Sequence, residues 1–209
     1  MSRIFLLIYI LFFLGCKKTT LKPVVESYIP WNEKFSRKIA EGDLIVISPE
    51  KSVSASFNYV YDNVKRELTG SIVAIFGIKV ANFRITDKGI YVSNNKGDTL
   101  SLQKIISSNI IPADVFINCV TYHFPFINDQ RVTRMEVLEG ELLSFNNYNL
   151  LLNKNSGYPL KTIYIIQKKK IEAQYNDIRS IQGTYQPFNV VMSSGNYKLE
   201  IRFKNIRLE

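Results

Sequence analysis

Cys119 and His123 are the residues whose types and spacing could support catalysis. Four positions apart, they would share one face of a helix, where a thiolate and an imidazole can act as nucleophile and base. Cys119 also lies on an apolar stripe with Val115 and Val120, and a cysteine in such a position usually packs as a small hydrophobic side chain. His123, the only histidine, falls where that helix should end. We therefore favour a structural role for both residues.

Other polar clusters offer little for catalysis or metal binding. The sequence has no G-x-S-x-G motif and no glycine-rich phosphate loop, and the Ser-Gly pairs at 156–157 and 194–195 fit turns. Cys119 and His123 alone are too few ligands for zinc. Three carboxylates fit a solvated rim: Glu136, Glu139 and Glu141. We expect no enzymatic activity, no cofactor and no metal; a hydrolase of cell-wall or lipid esters is the weakest alternative. The lysines at 168–170 fit a hairpin tip, which could also touch lipid head groups.

The N-terminus is typical of a bacterial lipoprotein signal peptide. Arg3 precedes an uninterrupted apolar run at residues 4–14, which is far shorter than the roughly 20 residues that a spanning helix needs. Leu14, Gly15 and Cys16 then resemble a lipobox, in which the cysteine becomes lipidated and starts the mature chain. We expect a signal peptide at 1–15 and a lipid anchor at Cys16. An ordinary signal anchor with an incidental cysteine is the alternative.

Net charge and location limit the classes of partner that the protein could bind. The chain of 209 residues has a formal net charge of +9, and removal of residues 1–15 takes away only Arg3, which leaves 9 − 1 = +8. Outside the cytoplasm, nucleic acid is a poor partner, so anionic lipid or an acidic protein fits better. Lys17 and Lys18 follow the anchor in place of the aspartate that favours inner-membrane retention, which favours the outer membrane. Cys119 has no second free cysteine for a disulfide.

From residue 30 onward the pattern indicates one mostly β domain. Residues 16–29 fit a tether, and 30–42 fit a short helix with Phe35 and Ile39 four residues apart. Alternation of apolar and polar residues then predicts about ten strands. The segment 100–124 interrupts the alternation and fits two short helices on either side of Pro112. We expect a single domain at 30–209, built as one curved sheet around an apolar concavity with the helices as a lid.

The stretch GSIVAIFGIKVANF, at 70–83, is too long for one ordinary strand. Its inward residues are even-numbered in the first half, as at Ile72, and odd-numbered in the second, as at Phe83. This change of parity predicts a hairpin whose tip is formed by Ile75, Phe76, Gly77 and Ile78, with Gly77 able to adopt a positive φ. The alternative is that Phe76 folds back and plugs the mouth of the barrel.

Three segments resemble the family of the outer-membrane lipoprotein receptor LolB: AEGDLIVISPEKSVSASFNYVYD, LTGSIVAIFGIKVANFRIT and GIYVSNNKGDTLSLQKII. With the signal peptide, the order of elements follows that family over most of 30–209. The resemblance implies a mainly β (α+β) fold, an unclosed antiparallel β-barrel of about ten to eleven strands with short helices as its lid. It also implies a periplasm-facing, outer-membrane monomer that accepts the acyl chains of lipoproteins from a LolA-like carrier and helps insert them into the membrane.

The same resemblance assigns roles by position. The protruding apolar loop that the family uses in release corresponds to Ile75, Phe76, Gly77 and Ile78. Seven apolar residues on alternating strand faces are expected to line or support the acyl cavity: Phe57, Tyr59, Ile72, Phe83, Ile85, Leu199 and Ile201. A structural or scaffolding outer-membrane lipoprotein, with a filled core and no ligand, is the alternative function.

Overall fold

The computed structural model describes residues 35–73, 78–94, 111–124 and 132–209, which form one antiparallel sheet and a helix. The strands are β1 Arg37–Ile47, β2 Ser52–Asp62, β3 Glu67–Val73, β4 Lys79–Thr86, β5 Gly89–Asn94, β6 Thr133–Val137, β7 Gly140–Ser144, β8 Tyr148–Asn153, β9 Pro159–Ile166, β10 Lys169–Ile181, β11 Thr184–Ser194 and β12 Tyr197–Leu208. Helix α1, Ala113–Thr121, lies between β5 and β6 in the chain. The predicted signal peptide, the tether and Cys16 lie outside the described residues.

The sheet consists of two meanders joined along their first and last strands. Its order is β5-β4-β3-β2-β1-β12-β11-β10-β9-β8-β7-β6, and every pairing is antiparallel. Within the described residues, β5 and β6 each have a neighbour on one side only, so the sheet does not close. The predicted unclosed antiparallel barrel is confirmed, with twelve strands where we expected ten to eleven.

Alternating side chains explain which face of the sheet is buried. In β2 the odd-numbered residues Phe57, Tyr59 and Tyr61 are buried, as the sequence pattern predicts, and Asn58 between them is exposed. A strand with one apolar face must cover that face, and the curved sheet does so by wrapping around its own concave side. The core is therefore one cluster to which both meanders and α1 contribute.

The helix predicted over 30–42 is wrong from residue 37 onward, where β1 begins. Phe35 and Ile39 have helical spacing, but the segment pairs with strands on both sides, with Lys38 opposite both Tyr61 and Leu208. Pairing with strands on both sides outweighs the local helical preference, because intrinsic helix propensity is small compared with tertiary interactions. Gly42 lies at a bulge where a Cβ atom would overlap the carbonyl oxygen of Arg202.

The second of the two predicted lid helices is confirmed as α1, whereas the first, at 100–111, falls almost wholly outside the described residues. Helix α1 ends at Thr121 and is followed by Tyr122, whose φ of 58° is left-handed. The backbone N–H groups of Tyr122 and His123 both donate to the carbonyl oxygen of Asn118, which caps the C-terminal end of the helix. The helix is thus a single short lid element with a well-defined C-terminus.

The acidic connection around residue 138 is a hairpin of β6 and β7. Glu136 lies in β6 and is exposed, Glu139 lies in the turn, and Glu141 is the second residue of β7. Glu141 is half-buried and pairs with Arg134 at 3.3 Å. The rim assignment therefore fits Glu136 and Glu139, while Glu141 takes part in a cross-strand ion pair.

Candidate functional site

The residues expected to line a cavity all lie on the concave face, at two levels of burial. Four are buried in the core: Phe57, Tyr59, Ile85 and Ile201. Three are half-buried and pack against that core: Ile72, Phe83 and Leu199. The structure therefore brings the seven to one side of the sheet, and their role towards a ligand stays a prediction.

Aromatic rings fill the part of the concavity beside β2 and β12. The rings of Phe57 and Tyr59 stack with their centroids 5.9 Å apart. Phe203 meets both rings edge-on, at 6.0 Å and 6.1 Å. Such edge-to-face contacts are favourable and leave little free space. A ligand would reach this region only if the rings or the helix moved.

A buried lysine joins the helix to the sheet. The Lys38 ammonium donates to the carbonyl oxygens of Val120 and Thr121, at 3.1 Å and 3.4 Å, and to Oε1 of Gln186 at 2.8 Å. It also lies 5.1 Å from the centre of the Phe203 ring. Burial lowers the pKa of Lys38 from its ordinary value of 10.5 to about 7. A helix prediction for this segment hides Lys38, whereas a strand prediction would put Lys38 and Ala40 on one inward face.

Cys119, near the C-terminal end of α1, lies in a group of buried polar side chains. Its side chain has no exposed surface, and burial raises the pKa of its thiol to about 12. Tyr175 neighbours the thiol, and the Tyr175 hydroxyl lies 2.9 Å from Oγ1 of Thr162. The Tyr122 hydroxyl donates to the carbonyl oxygen of Pro159 at 2.6 Å. At neutral pH this thiol keeps its proton, so it lacks the thiolate that a nucleophile needs.

His123 follows the helix end and has different neighbours. Its half-buried ring meets Phe35 edge-on, with the centroids 6.2 Å apart. Burial, and then the charge of Arg66, lowers the pKa of His123. The imidazole is therefore neutral near pH 7 and packs on an aromatic ring, as expected of a structural histidine.

An open pocket of about 300 Å³ lies at the N-terminus of α1. Turns β4–β5 and β9–β10 form its rim, with Lys88, Gln167 and Lys169. Its walls include the apolar side chains of Ile90, Ile111, Ala113, Ile166 and Ile171, beside nearly as much polar surface. Ile90 and Ile171 belong to the buried inner face, so the pocket leads from solvent towards the core. A slot with apolar side chains in its walls and cationic side chains at its mouth suits a chain molecule with an anionic head.

The register of β3 and β4 defines the proposed loop. Val73 pairs with Lys79, and the register shifts between Ile72 and Val73, which accounts for the change of parity in the sequence. The hairpin connection thus covers 74–78. Ile75, Phe76 and Gly77 lie outside the described residues. Ile78 is 62% exposed, a large value for an isoleucine.

Within the described ranges, no three His, Cys, Asp or Glu side chains lie close enough together to hold a metal ion. In the same part of the chain, no helix has the length and apolarity needed to cross a membrane.

Comparison with known proteins identifies the fold. No family model and no curated protein matches the sequence. Solved structures do match over most of both chains. A LolA superfamily protein from Nitrosomonas europaea has a TM-score of 0.55 at 10% identity, covering 86% of this chain and 89% of its own. The chain has a LolA-like open-barrel fold.

Two further structures share this LolA-like fold. An outer membrane lipoprotein-sorting protein domain from Vibrio parahaemolyticus has a TM-score of 0.54 at 10% identity, covering 85% of this chain and 87% of its own. A DUF1329 family protein from Desulfovibrio piger has a TM-score of 0.56 at 9% identity, covering 85% and 87%. At such identities the similarity establishes architecture, and function must be argued from the site.

Proposed function

We propose that this chain is a membrane-anchored, periplasm-facing receptor that binds the acyl chains of lipoproteins and helps insert them into the outer membrane. The observation that carries the proposal is the pocket at the N-terminus of α1, which leads from solvent to the inner face of an unclosed sheet. Solved structures with the same fold include a lipoprotein-sorting domain. A Cys16 anchor and a LolA-like carrier as donor belong to this proposal.

The energetics of acyl binding fit this pocket. Each methylene transferred from water to an apolar wall contributes about 0.8 kcal/mol. Ile90, Ile166 and Ile171 provide such walls, and Lys88 and Lys169 lie where the polar end of the ligand would remain. Deeper entry requires α1 to move, and α1 is only nine residues long. Binding by burial and release by competition with a bilayer need no chemical step.

A non-enzymatic role is part of the proposal. The high pKa of the Cys119 thiol, about 12, keeps the most nucleophilic candidate protonated. His123 packs edge-on against the ring of Phe35 instead of facing a nucleophile. Both observations favour binding over catalysis.

Native mass spectrometry and a fluorescent fatty-acyl probe test the binding step. Ala113→Trp places a large ring in the pocket wall. Because this ring would fill the pocket, the variant should bind the probe much more weakly. Asp114→Trp is the matched control, since Asp114 is exposed one position further along the helix. Equal binding by the wild type and both variants would overturn the assignment of the pocket.

A structural or scaffolding lipoprotein is the second candidate, and the packing of Phe57, Tyr59 and Phe203 favours it. A sheet whose concavity is filled with rings needs no ligand for stability. In that case the purified protein would carry no lipid and would bind no acyl probe. Co-purified lipid, or probe binding that Ala113→Trp abolishes, would exclude this candidate.

A further inference from the structure

Five hairpin turns lie at the same end of the sheet. They join β1 to β2, β3 to β4, β7 to β8, β9 to β10 and β11 to β12, and they alternate with turns at the other end, as an antiparallel meander requires. Cross-strand pairs fix their common position: Ile47 is opposite Lys198, and Ser193 is opposite Glu172. We call this end, with its described turn residues 48–51, 78–79, 145–147, 167–170 and 195–198, the basic end.

Exposed apolar side chains concentrate at the basic end. Six of the ten large apolar side chains exposed in the described part of the chain lie there: Ile47, Val53, Ile78, Val80, Ile165 and Tyr197. Val53 and Tyr197 continue the inner face of their strands, whereas Ile47 and Ile165 continue the outer face. Because both faces contribute, the six form a fringe around the end of the sheet. A fringe of this kind fits insertion of the end into an interface better than contact along one face.

The same end is strongly cationic. Its described turn residues contain six lysines, at 51, 79, 168, 169, 170 and 198, and a single acidic residue, Glu50. Lys198 and Lys170 lie near Glu200 and Glu172, at 3.7 Å and 2.8 Å, which partly offsets their charge. A lysine near an anionic lipid surface contributes about 1 kcal/mol of attraction. Apolar side chains interleaved with lysines are typical of surfaces that lie in the membrane interface.

We propose that the basic end docks on an anionic phospholipid bilayer, with its apolar fringe in the head-group region. This inference deepens the proposed function, because it names the surface that faces the membrane. Gln167 and Lys169 belong both to the basic end and to the rim of the pocket. The pocket rim at Lys88 belongs to the β4–β5 turn of the other end, so an acyl chain would leave the pocket beside the docked bilayer only past the β9–β10 hairpin.

The position of the proposed anchor is compatible with this orientation. Strand β1 starts at the opposite end, where Arg37 pairs with Asp62. Its 11 residues extend about 36 Å at 3.3 Å each. Eighteen residues separate Cys16 from Phe35, and a chain of that length spans at most about 60 Å. A lipid at Cys16 can thus reach the bilayer on which the basic end rests.

Site-specific fluorescence on the full mature protein tests the orientation. Single cysteines at the basic end, Ser52→Cys and Asn196→Cys, are compared with Lys65→Cys and Glu139→Cys at the other end. Cys119 is buried and Cys16 carries the anchor, so neither should take the label. In vesicles of equimolar phosphatidylethanolamine and phosphatidylglycerol with nitroxide-labelled lipid, the two basic-end labels should lose most of their fluorescence. Equal quenching at both ends, or none at either, would overturn the proposal.

Charge-matched variants test the role of the lysines. Lys51→Gln with Lys168→Gln should weaken quenching at position 196, whereas Lys65→Gln with Lys154→Gln, which removes the same charge at the other end, should not. Phosphatidylcholine vesicles should give weaker quenching throughout. If the fluorescence of the basic-end labels instead changed only when an acidic protein was added, the surface would be a protein interface. The inference would then fail. Acyl-probe binding is measured separately, so a protein that docks without binding the probe refutes the receptor function alone.

Discussion

The ammonium nitrogen of Lys38 lies 2.8 Å from Oε1 of Gln186, with both side chains completely buried. The three acceptors around the nitrogen match the three donors of an ammonium group. Two of them are carbonyl oxygens at the C-terminal end of α1, where the helix dipole attracts positive charge. Burial acts in the opposite direction and lowers the pKa to about 7. Lys38 therefore holds the helix over the sheet through a group that can lose its charge near neutral pH.

The first prediction concerns the pH dependence of stability. Unfolded Lys38 binds a proton below pH 10.5, whereas folded Lys38 binds it only below about pH 7. Between these values the unfolded state holds more protons, so the free energy of unfolding should rise with pH, by at most about 1.4 kcal/mol per pH unit. Below about pH 7 this contribution becomes constant. Urea unfolding at several pH values between 7 and 10 measures the slope.

Lys38→Met separates this effect from other titrating groups. Its free energy of unfolding should lack the contribution of one proton, so the difference between wild type and variant should change steadily from pH 7 to 10. Its absolute stability should also change, because Gln186 and two carbonyl groups lose a donor. Lys51→Met, at an exposed turn, should keep the wild-type slope. A constant difference between Lys38→Met and wild type across this range would show that Lys38 keeps its ordinary pKa.

The second prediction concerns Cys119. A thiol without exposed surface and with a pKa raised to about 12 should not react with a thiol reagent at pH 8 while the protein is folded. It should react at once in concentrated urea. A mass-spectrometric count of alkylated cysteines under both conditions measures this. Fast reaction of the folded protein would instead indicate an accessible thiolate and reopen the catalytic hypothesis.

Strands with one polar face could be predicted from the sequence, because burial of one face imposes a period of two. In β2, the positions of Phe57 and Tyr59 were correct for this reason. In the first half of β1, at 37–42, the same argument failed, because the buried Lys38 interrupts the apolar alternation and Ile39 has helical spacing from Phe35. Sequence patterns treat a lysine as a surface residue, and only its contacts with Gln186 and α1 reveal that it is buried.

Features that depend on pairing with other segments of the chain were harder to predict from the sequence. Strand β6 contains Arg134, Met135 and Glu136, and its identity as a strand depends on pairing with β7. The basic end was visible only in part, as an apolar tip at 75–78 and a lysine run at 168–170. The sheet order places these separate turns at one end, and no local pattern contains that information.

The third prediction concerns Gly70, which lies in the middle of β3 under the ring of Phe83. A Cβ atom at this position would overlap both the carbonyl oxygen of Asn58 and the Phe83 ring. Gly70→Ala should therefore reduce the free energy of unfolding by about 1–3 kcal/mol, as overpacking usually does. Thr69→Ala, at the exposed neighbouring position, should change it far less. Comparison of the urea midpoints tests this prediction. Equal midpoints would show that the strand accommodates the methyl group without loss of stability.

The last prediction concerns release at the hairpin tip between β3 and β4. Phe76→Glu should leave binding to the carrier intact and abolish release of the lipoprotein into liposomes, because a carboxylate resists entry into an apolar interface. Ile78→Glu should act in the same direction, since Ile78 is 62% exposed beside the tip. Val64→Glu is the matched control, because Val64 is 88% exposed at the opposite end of the sheet. A transfer assay that follows a labelled lipoprotein from carrier to liposome measures the effect. Unchanged release by Phe76→Glu and Ile78→Glu would remove the loop from the mechanism, and equal loss in Val64→Glu would attribute the effect to charge alone.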